Sequence, residues 1–344
     1  MDKGARSSSG RTRGEGPTGA HDADSSPAIE LERLTKVYDL PSRTNAQAQV
    51  VAADNLSLSV PQGEVFGLVG PNGAGKTTTL KMICGLLAPT AGRITVNGID
   101  VAREPEAAQG FIGYLADFFS LYDELKVWEY LDYFAHAYKM PPETIPGRID
   151  YAIRTLGLET KRDAFIAGLS RGMKQRLGIA RAILHDPRVL ILDEPAVGLD
   201  PKSRTEFKGL IKDLHRQGKT VFITSHLLAD LEEICTWVAI IEKGRLLRVG
   251  RIDQVIREAA PGRRVRFKIS TPGFPLVEWM AARPWVTDVM PEATGVSVAF
   301  GGGETELAAL VRALAMTDAG VYAVEEVVET LERVVSRLSA GEVM

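Results

Sequence analysis

Residues 70–77 read GPNGAGKT and match the spacing G-x-x-x-x-G-K-[ST] of a phosphate-binding loop. Glycines at this spacing let the backbone curl, so that its N–H groups point inward at a phosphate. Lys76 would add a positive charge for the β- and γ-phosphates of a nucleotide, and the Thr77 hydroxyl could ligate Mg²⁺. Such a match can arise by chance, but here an apolar run over 65–69 precedes it and a helical pattern over 78–83 follows it. The predicted nucleotide-binding residues of this loop are Gly70, Pro71, Asn72, Gly73, Ala74, Gly75, Lys76, Thr77 and Thr78.

Two acids, Asp193 and Glu194, end the apolar run over 189–192. A continuous run of Val, Leu and Ile is typical of a central parallel strand that is buried on both faces. Carboxylates are costly to bury at the end of such a strand, which favours a functional role. Asp193 could hold Mg²⁺ directly or through water, and Glu194 could accept a proton from an attacking water. The alternative is a pair of acids that only caps the strand before Pro195.

His226 follows a second apolar run, over 220–224. Ligands of open α/β sheets bind at the carboxyl ends of strands, so His226 is a candidate for contacting a γ-phosphate or positioning water. A lone histidine is more often structural or solvated. Tyr38 could stack on an adenine ring, although the residues alone favour a half-buried tyrosine at a strand end.

The elements that must position these residues can be traced through the chain. Alternation predicts strands over 29–34 and 56–60, and helical patterns cover 127–138, 149–158, 173–184 and 203–217. Near Gly250 the pattern changes to a half-exposed strand around Phe267 and two amphipathic helices, one marked by Leu307 and Leu310 and one by Val328 and Leu331. We predict a disordered tail over 1–27, one nucleotide-binding domain over 28–250 and an accessory C-terminal α+β domain over 251–344.

Composition narrows the function classes. The chain has 344 residues, 45% of them apolar and 25% charged, which is ordinary for a globular protein of about two domains. The net charge of −3 leaves no basic footprint, so no nucleic-acid partner is expected. Cys84 and Cys235 lie far apart and are most simply reduced thiols. No apolar run approaches the length of a membrane span or a signal peptide, which predicts a soluble, cytoplasmic protein.

An aromatic loop over 116–122 contains Phe118, Phe119 and Tyr122. These side chains could belong to the core. They could equally form an apolar surface patch for a partner, and composition alone does not separate the two.

Taken in order, the motifs resemble those of the ATP-binding subunits of ABC transporters. The resemblance covers about 28–250 and rests on Tyr38, GPNGAGKT, the LSRGM stretch over 169–173, ILDEP over 191–195 and TSH over 224–226, with Gly-Leu-Asp over 198–200 at the family's D-loop. It implies an α/β P-loop NTPase fold of ABC type. That fold has a core parallel sheet, an antiparallel β subdomain and a helical subdomain, and here a small C-terminal α+β appendage would be added.

The resemblance also implies a head-to-tail homodimer with ATP and Mg²⁺ between the subunits. Ser170 and Gly172 would touch the γ-phosphate of the ATP held by the partner's phosphate loop. Tyr38 becomes an expected adenine platform, and Glu194, His226 and Asp117 become the expected catalytic residues. Mg²⁺ would be held by Thr77, Asp193 and Asp117.

Two positions depart from the family pattern. Asp117 stands where the family usually has Gln; an ionised Asp can hold Mg²⁺ but cannot donate to the attacking water, which puts that role in doubt. In the signature, Arg171 and Met173 replace Gly and Gln. Arg171 could help to bind ATP in trans or could point to solvent.

The stretch over 112–134 resembles that of subunits that power exporters through a separate permease, and this favours the partner-patch interpretation of Phe118, Phe119 and Tyr122. We therefore expect an ATP hydrolase that is peripheral on the cytoplasmic face of a membrane through a transmembrane permease. One alternative is a soluble ABC ATPase acting on ribosomes or chromosomes, but those relatives carry two cassettes or long coiled-coil insertions. Another is a module that senses ATP without hydrolysing it, against which Asp193, Glu194 and His226 argue.

Overall fold

The structure of the chain is a computed structural model, and it describes residues 26–40, 48–117, 119–259, 263–327 and 329–340. All but the last two residues of the predicted tail over 1–27 lie outside these ranges. The aromatic Phe118 and the helix-marking Val328 also lie outside them.

The first part of the chain alternates strands and helices. In chain order its elements are β1 (Ile29–Leu40), β2 (Ala48–Val60), β3 (Val65–Val69), α1 (Lys76–Ile83), β4 (Ala91–Val96), β5 (Ile99–Asp100), α2 (Pro105–Gly110), β6 (Ile112–Leu115), α3 (Val127–Ala137), α4 (Ile145–Thr155), α5 (Arg171–Ala182), β7 (Val189–Asp193), α6 (Pro201–Arg216), β8 (Thr220–Thr224), α7 (Leu228–Ile234), β9 (Trp237–Glu242) and β10 (Arg245–Arg251).

The central sheet has six strands in the order β10-β9-β3-β8-β7-β6. All neighbours are parallel except β9 and β10, which form an antiparallel hairpin. Every residue of β3, β7 and β8 is buried, which explains why these strands are continuous apolar runs. Alternate residues of β3 feed two hydrophobic cores on opposite faces, Val65 and Val69 on one and Phe66 and Leu68 on the other.

Two smaller layers flank this sheet. An antiparallel sheet runs in the order β2-β1-β4-β5. Helices α3, α4 and α5 pack on one another, and α5 also packs on β6. The expected fold, with a mainly parallel core sheet, an antiparallel β subdomain and a helical subdomain, is therefore confirmed.

The C-terminal part adds α8 (Ile252–Ala259), β11 (Arg263–Ile269), α9 (Leu276–Ala281), β12 (Val286–Glu292), β13 (Gly295–Phe300), α10 (Glu304–Ala315), β14 (Val321–Val327) and α11 (Leu331–Ala340). From β11 to β14 the order is βαββαβ, and the antiparallel sheet runs β12-β13-β11-β14. This is the ferredoxin-like arrangement. We call residues 263–327 the ferredoxin-like unit.

Helices α8 and α11 lie against the first part of the chain, from β1 to β10. Helix α8 contacts β9 and β10, and α11 contacts α7 and α8. Leu331 and Val334 of α11 are buried in the same core as Ile252 and Val255 of α8. The division of the chain at residue 250 stays a prediction. Across the described ranges, no helix has both the length and the apolarity that crossing a bilayer requires.

Candidate nucleotide-hydrolysis site

The carboxyl ends of four parallel strands bring most of the predicted residues to one edge of the central sheet. Leu68 of β3 lies beside Thr224 of β8, and Thr224 lies beside Asp193 of β7. Leu192 in turn lies beside Leu115 of β6. The phosphate loop, His226, the acid pair and Asp117 each follow one of these strand ends, so the register itself assembles the site.

The phosphate loop turns sharply into α1 at Gly75. This residue has a φ of 104°, and a Cβ there would lie 2.1 Å from the Ala52 carbonyl oxygen of β2. Only glycine meets both conditions. Pro71, Asn72 and Gly73 are exposed at the tip of the loop.

Lys76 is held inside this loop and is only 7% exposed. Its ammonium donates to the carbonyl oxygens of Gly70 at 2.8 Å and Pro71 at 3.3 Å. Its Nζ also lies 3.8 Å from Glu194 Oε1. The loop therefore places a buried positive charge beside the proposed general base.

Asp193 is the most buried acid at this edge, with 1% of its surface exposed. Its Oδ1 accepts a 2.7 Å hydrogen bond from the Thr224 hydroxyl, whereas Oδ2 is buried without a partner among the described residues. Burial raises the pKa of this carboxyl, the Thr224 and Thr77 hydroxyls oppose the rise, and the charges of Asp117 and Glu194 add to it. A buried carboxylate oxygen without a donor fits the binding of a cation.

Glu194 has a positive φ of 49°, which is rare for a residue with a side chain. Its N–H donates to the Thr224 hydroxyl at 3.0 Å. Its Oε2 accepts a hydrogen bond from the His226 N–H at 3.2 Å and lies 2.8 Å from His226 Nδ1. Strained backbone held in this way is concentrated at functional sites. Because the His226 ring is half exposed, it can face both the carboxylate and a ligand.

Two predicted residues stand nearer the rim. Asp117 is exposed after β6, close enough to Asp193 to raise its pKa. Tyr38 is 37% exposed on β1, and Lys36 Nζ lies 5.3 Å from the centre of its ring. Tyr38 pairs with Val50 of β2, the strand that also carries the Ala52 contact to Gly75. Thr77 is exposed and Thr78 half-buried in the first turn of α1.

The signature residues make a separate set of contacts. The Ser170 hydroxyl caps α5 by accepting from the Met173 N–H at 3.3 Å. Gly172 packs so closely on α6 that a Cβ would lie 2.8 Å from Ser203 Oγ. Among the described residues, no hydrogen bond or ion pair links Ser170, Arg171 or Gly172 to the phosphate loop.

Arg171 lies on the D-loop of its own chain, a placement that the sequence analysis did not foresee. Its Nη2 donates to the Val197 carbonyl oxygen at 3.3 Å. A Cβ at Gly198 would lie 2.2 Å from Arg171 Cζ, so the guanidinium rests directly on that glycine. The absence of a side chain at residue 198 was the only signal in the sequence that could have indicated this contact.

Thr224 was also missed as a functional residue. It donates to Asp193 and accepts from the Glu194 N–H, so one hydroxyl orients both members of the acid pair. A polar residue that ends a buried apolar strand is the signal that could have found it.

Comparisons with known proteins agree with this geometry. The family profile described as ABC transporter matches residues 53–197. An uncharacterized ABC transporter ATP-binding protein of Synechocystis is 38% identical over 66% of this chain and 64% of its own length. The Nod factor export ATP-binding protein I of Rhizobium meliloti is 38% identical over 68% of this chain and 71% of its own length. The chain thus spans about two thirds of these relatives.

Solved structures give the same result. An ATP-binding subunit of an ABC transporter superposes with a TM-score of 0.58 at 32% identity, covering 67% of this chain and 92% of that structure. An ATP-binding cassette in a dimeric, post-hydrolysis state with bound ADP and phosphate gives 0.58 at 25% identity, covering 65% and 98%. Neither of the two relatives' names refers to a ribosomal role. The chain belongs to the ATP-binding subunits of ABC transporters, a family of ATP hydrolases.

Proposed function

We propose that two copies of this chain bind and hydrolyse ATP between them, and that this reaction powers export through a separate membrane permease. The observation that carries the proposal is the arrangement of Lys76, Glu194 and His226 beside the incompletely paired Asp193. A positive charge, a proton acceptor and a cation ligand meet at one edge of the central sheet.

The side chains have distinct roles in hydrolysis. Lys76 exchanges the carbonyl oxygens of its own loop for phosphate oxygens and compensates their charge. Glu194 accepts the proton of the attacking water. His226 holds the Glu194 carboxylate through its backbone N–H and its ring, and the exposed side of the ring would be free to contact the γ-phosphate.

Mg²⁺ fits the residues present. Asp193 offers a buried oxygen without a donor, the Thr77 hydroxyl lies beside it, and Asp117 adds a carboxylate at the rim. When bound, the ion would neutralise charge on the β- and γ-phosphates. A cation there would also relieve the cost of ionising Asp193 in a buried position.

Dimerisation would complete the site. Among the described residues, Ser170 forms no hydrogen bond to the phosphate loop, and the atoms nearest to a Cβ at Gly172 belong to Ser203 and Leu199, so both residues are available to a nucleotide held by a second copy. A head-to-tail pair would then close only around ATP, which converts binding into motion. The dimeric state of a similar cassette supports this arrangement.

A groove beside the helical subdomain is the proposed docking place for the permease. It has a volume of about 590 Å³ and is lined by Leu86 and Tyr138, among others. Three of its polar atoms, Tyr114 Oη, Arg181 Nε and His185 Nδ1, are buried without a partner among the described residues. Buried polar groups are normally hydrogen-bonded. A partner that brings polar groups into this groove could supply the missing hydrogen bonds, whereas an apolar surface could not.

The side chains of the aromatic loop fit different interpretations, one belonging to the core and another to an exposed patch. The Phe119 ring packs on the helical core, where a Cβ at Gly178 would lie 2.7 Å from it. Tyr122 is exposed, and its ring contacts the equally exposed Tyr133 edge-to-face at 5.8 Å. Of these residues, only the tyrosines extend the proposed docking surface.

The test is an affinity purification from detergent-solubilised native membranes, with bound proteins identified by mass spectrometry. Wild type should recover a multi-helix membrane protein at near-equal stoichiometry. Leu86→Glu, which adds a charge at a residue 59% exposed in the groove, should lose it. Tyr322→Glu adds the same charge at a residue 60% exposed in the ferredoxin-like unit and should retain it.

The outcomes separate the parts of the proposal. Recovery of cytosolic proteins alone would overturn the transport role and leave ATP hydrolysis standing. Equal recovery by Leu86→Glu and wild type would overturn the groove as the docking place. Melting curves of each variant should match wild type, so that a lost partner is not mistaken for a lost fold.

A further inference from the structure

The sheet of the ferredoxin-like unit has two unlike faces. One face is apolar and packs under α9 and α10, with Val265 and Phe267 of β11 in its core. The register places Arg266 of β11 opposite Ser297 of β13, and Ser297 opposite Met290 of β12, on the other face. This second face is polar, and it is turned toward α11.

A cavity of about 290 Å³ lies between the polar face and α11. The hydroxyl-bearing Ser297 is only 4% exposed, so the cavity floor is well inside the molecule. Its two walls carry the same chemistry, three guanidinium- or hydroxyl-bearing residues each. They are Arg264, Arg266 and Ser297 on the sheet, and Arg333, Ser336 and Arg337 on α11.

One of the four arginines that line the cavity has no carboxylate partner among the described residues. Arg264 pairs with Asp288, an acid outside the lining. Glu292 lies 2.7 Å from Arg266 Nε, and Glu329 pairs with Arg337. Arg333 forms no ion pair with any described residue. A guanidinium that offers five N–H donors, in a cavity that also holds the buried Ser297 hydroxyl and the exposed Ser336 hydroxyl, is suited to binding an anion.

We propose that this cavity is an effector site for a small anion carrying two or more carboxylate or phosphate groups. Arginines on opposite walls would each bind one anionic group with paired N–H donors, and the serines would add hydroxyl donors. A volume equal to that of about ten waters matches the size of a small metabolite.

Helices α11 and α7 connect the cavity to the hydrolysis site. The far side of α11 buries Leu331 and Val334 in the core of the ATP-binding part. The Leu331 N–H donates to Glu232 Oε2 of α7 at 3.0 Å. Helix α7 begins at Leu228, two residues after His226. An anion that draws α11 toward the sheet would therefore move the helix that follows His226.

Binding is tested by calorimetric titration of the full-length chain, saturated with ADP so that the phosphate loop is filled. Pyrophosphate and tricarballylate serve as probes, at constant ionic strength. We expect at least one probe to bind, and Arg333→Gln to weaken its affinity about tenfold by removing one charged donor group. Heat from only one probe assigns the ligand to the phosphate or to the carboxylate class.

The matched control is Arg312→Gln, an exposed arginine of α10 on the opposite side of the same unit. It should bind the probe like wild type. The absence of heat with both probes, or equal affinity in Arg333→Gln and wild type, would overturn the site. Ser297→Leu, which fills the cavity without changing its charge, should also abolish binding, and unchanged binding in this variant would count against the cavity.

The effector role is tested by ATP turnover with Mg²⁺ in excess over the probe. The bound probe should change turnover of wild type and Arg312→Gln about twofold or more, and should leave Arg333→Gln unchanged. Competition at the nucleotide site would instead affect all three alike, and that result would overturn the effector role. Because binding is measured without any permease, failure of this proposal and failure of the export proposal remain distinguishable.

Discussion

Two sheets of this molecule differ in how their acidic side chains are paired. At the edge of the central sheet, Asp193 is buried and half of its carboxylate has no donor among the described residues. On the polar face of the ferredoxin-like unit, Glu325 stands between Lys268 and Arg266 and is paired by both. The first arrangement costs stability, and a bound ligand would offset the cost. The second is nearly balanced within the chain.

The difference also lies in how each arrangement is encoded. The central-sheet residues lie in short contiguous motifs, because each strand end delivers two or three residues to the same edge. The charges of the ferredoxin-like sheet come from three strands, β11, β12 and β14, and meet only through cross-strand register. Functional residues at strand ends can therefore be predicted from a sequence, whereas pairs of charged residues across the face of a sheet cannot.

The largest expected effect is at Glu194. Glu194→Gln keeps the shape of the side chain and removes the proton acceptor, so steady-state ATP turnover should fall at least about a hundredfold. Glu326→Gln, the same change on β14 of the ferredoxin-like unit, should stay within about twofold of wild type. Retained turnover in Glu194→Gln would show that another group accepts the proton.

The next effect is on nucleotide binding. Lys76→Ala removes a buried ammonium that faces the loop carbonyls and Glu194, and ATP affinity should fall about a hundredfold. Lys268→Ala removes a lysine of the ferredoxin-like sheet and should leave affinity unchanged. A nucleotide-binding titration measures both variants. Equal affinities would mean that the phosphate loop does not hold the triphosphate.

Much of the ATP-binding part could be predicted from the sequence. The strands β3, β7 and β8 are apolar runs followed by polar residues, so both their burial and their functional ends are visible. The hairpin strand β10 was missed because five of its seven residues are exposed and three of them are arginines, which interrupts the apolar pattern. The Arg171 contact to Gly198 was missed because the two residues lie 27 positions apart and only the packing of α5 on the D-loop joins them.

The ferredoxin-like unit was harder to predict. Strand β12 contains Pro291, which argues against a strand, but β12 is an edge strand, where proline is tolerated. In β14 the acids Glu325 and Glu326 interrupt the apolar pattern, and they are stable there because basic side chains of β11 pair with them. Such compensation by a neighbouring strand has no local signature.

A moderate effect is expected at Arg171, whose guanidinium is held in place by contacts with Val197 and Gly198 of the same chain. Both Arg171→Lys and Arg171→Met should lower ATP turnover about threefold, because neither can rest a planar guanidinium on Gly198. Gly198→Ala should act like them by displacing the guanidinium. If Arg171→Lys retained full turnover while Arg171→Met lost it, the charge itself, and thus contact with ATP in trans, would be the function of Arg171.

The smallest expected effect is on the melting temperature. Removing a buried carboxylate of the central sheet and removing a paired carboxylate of the ferredoxin-like sheet should change it in opposite directions at pH 7. Burial raises the pKa of Asp193, so ionisation of this carboxyl destabilises the folded chain at every pH above its unfolded pKa of about 4. Without nucleotide or Mg²⁺, Asp193→Asn should therefore melt about 2 °C above wild type at pH 7, and the difference should vanish as the pH falls toward 4.

Glu325 has the opposite sign, because the hydrogen bond from Lys268, together with the charge of Arg266, lowers its pKa. Its ionised form stabilises the fold above the unfolded pKa, and this contribution is lost as the pH falls through the lowered folded pKa. Glu325→Gln should therefore melt slightly below wild type at pH 7 and equal to it in strong acid. Melting curves of both variants across this pH range provide the measurement. Shifts of the same sign would mean that the two sheets do not differ in how they hold their carboxylates.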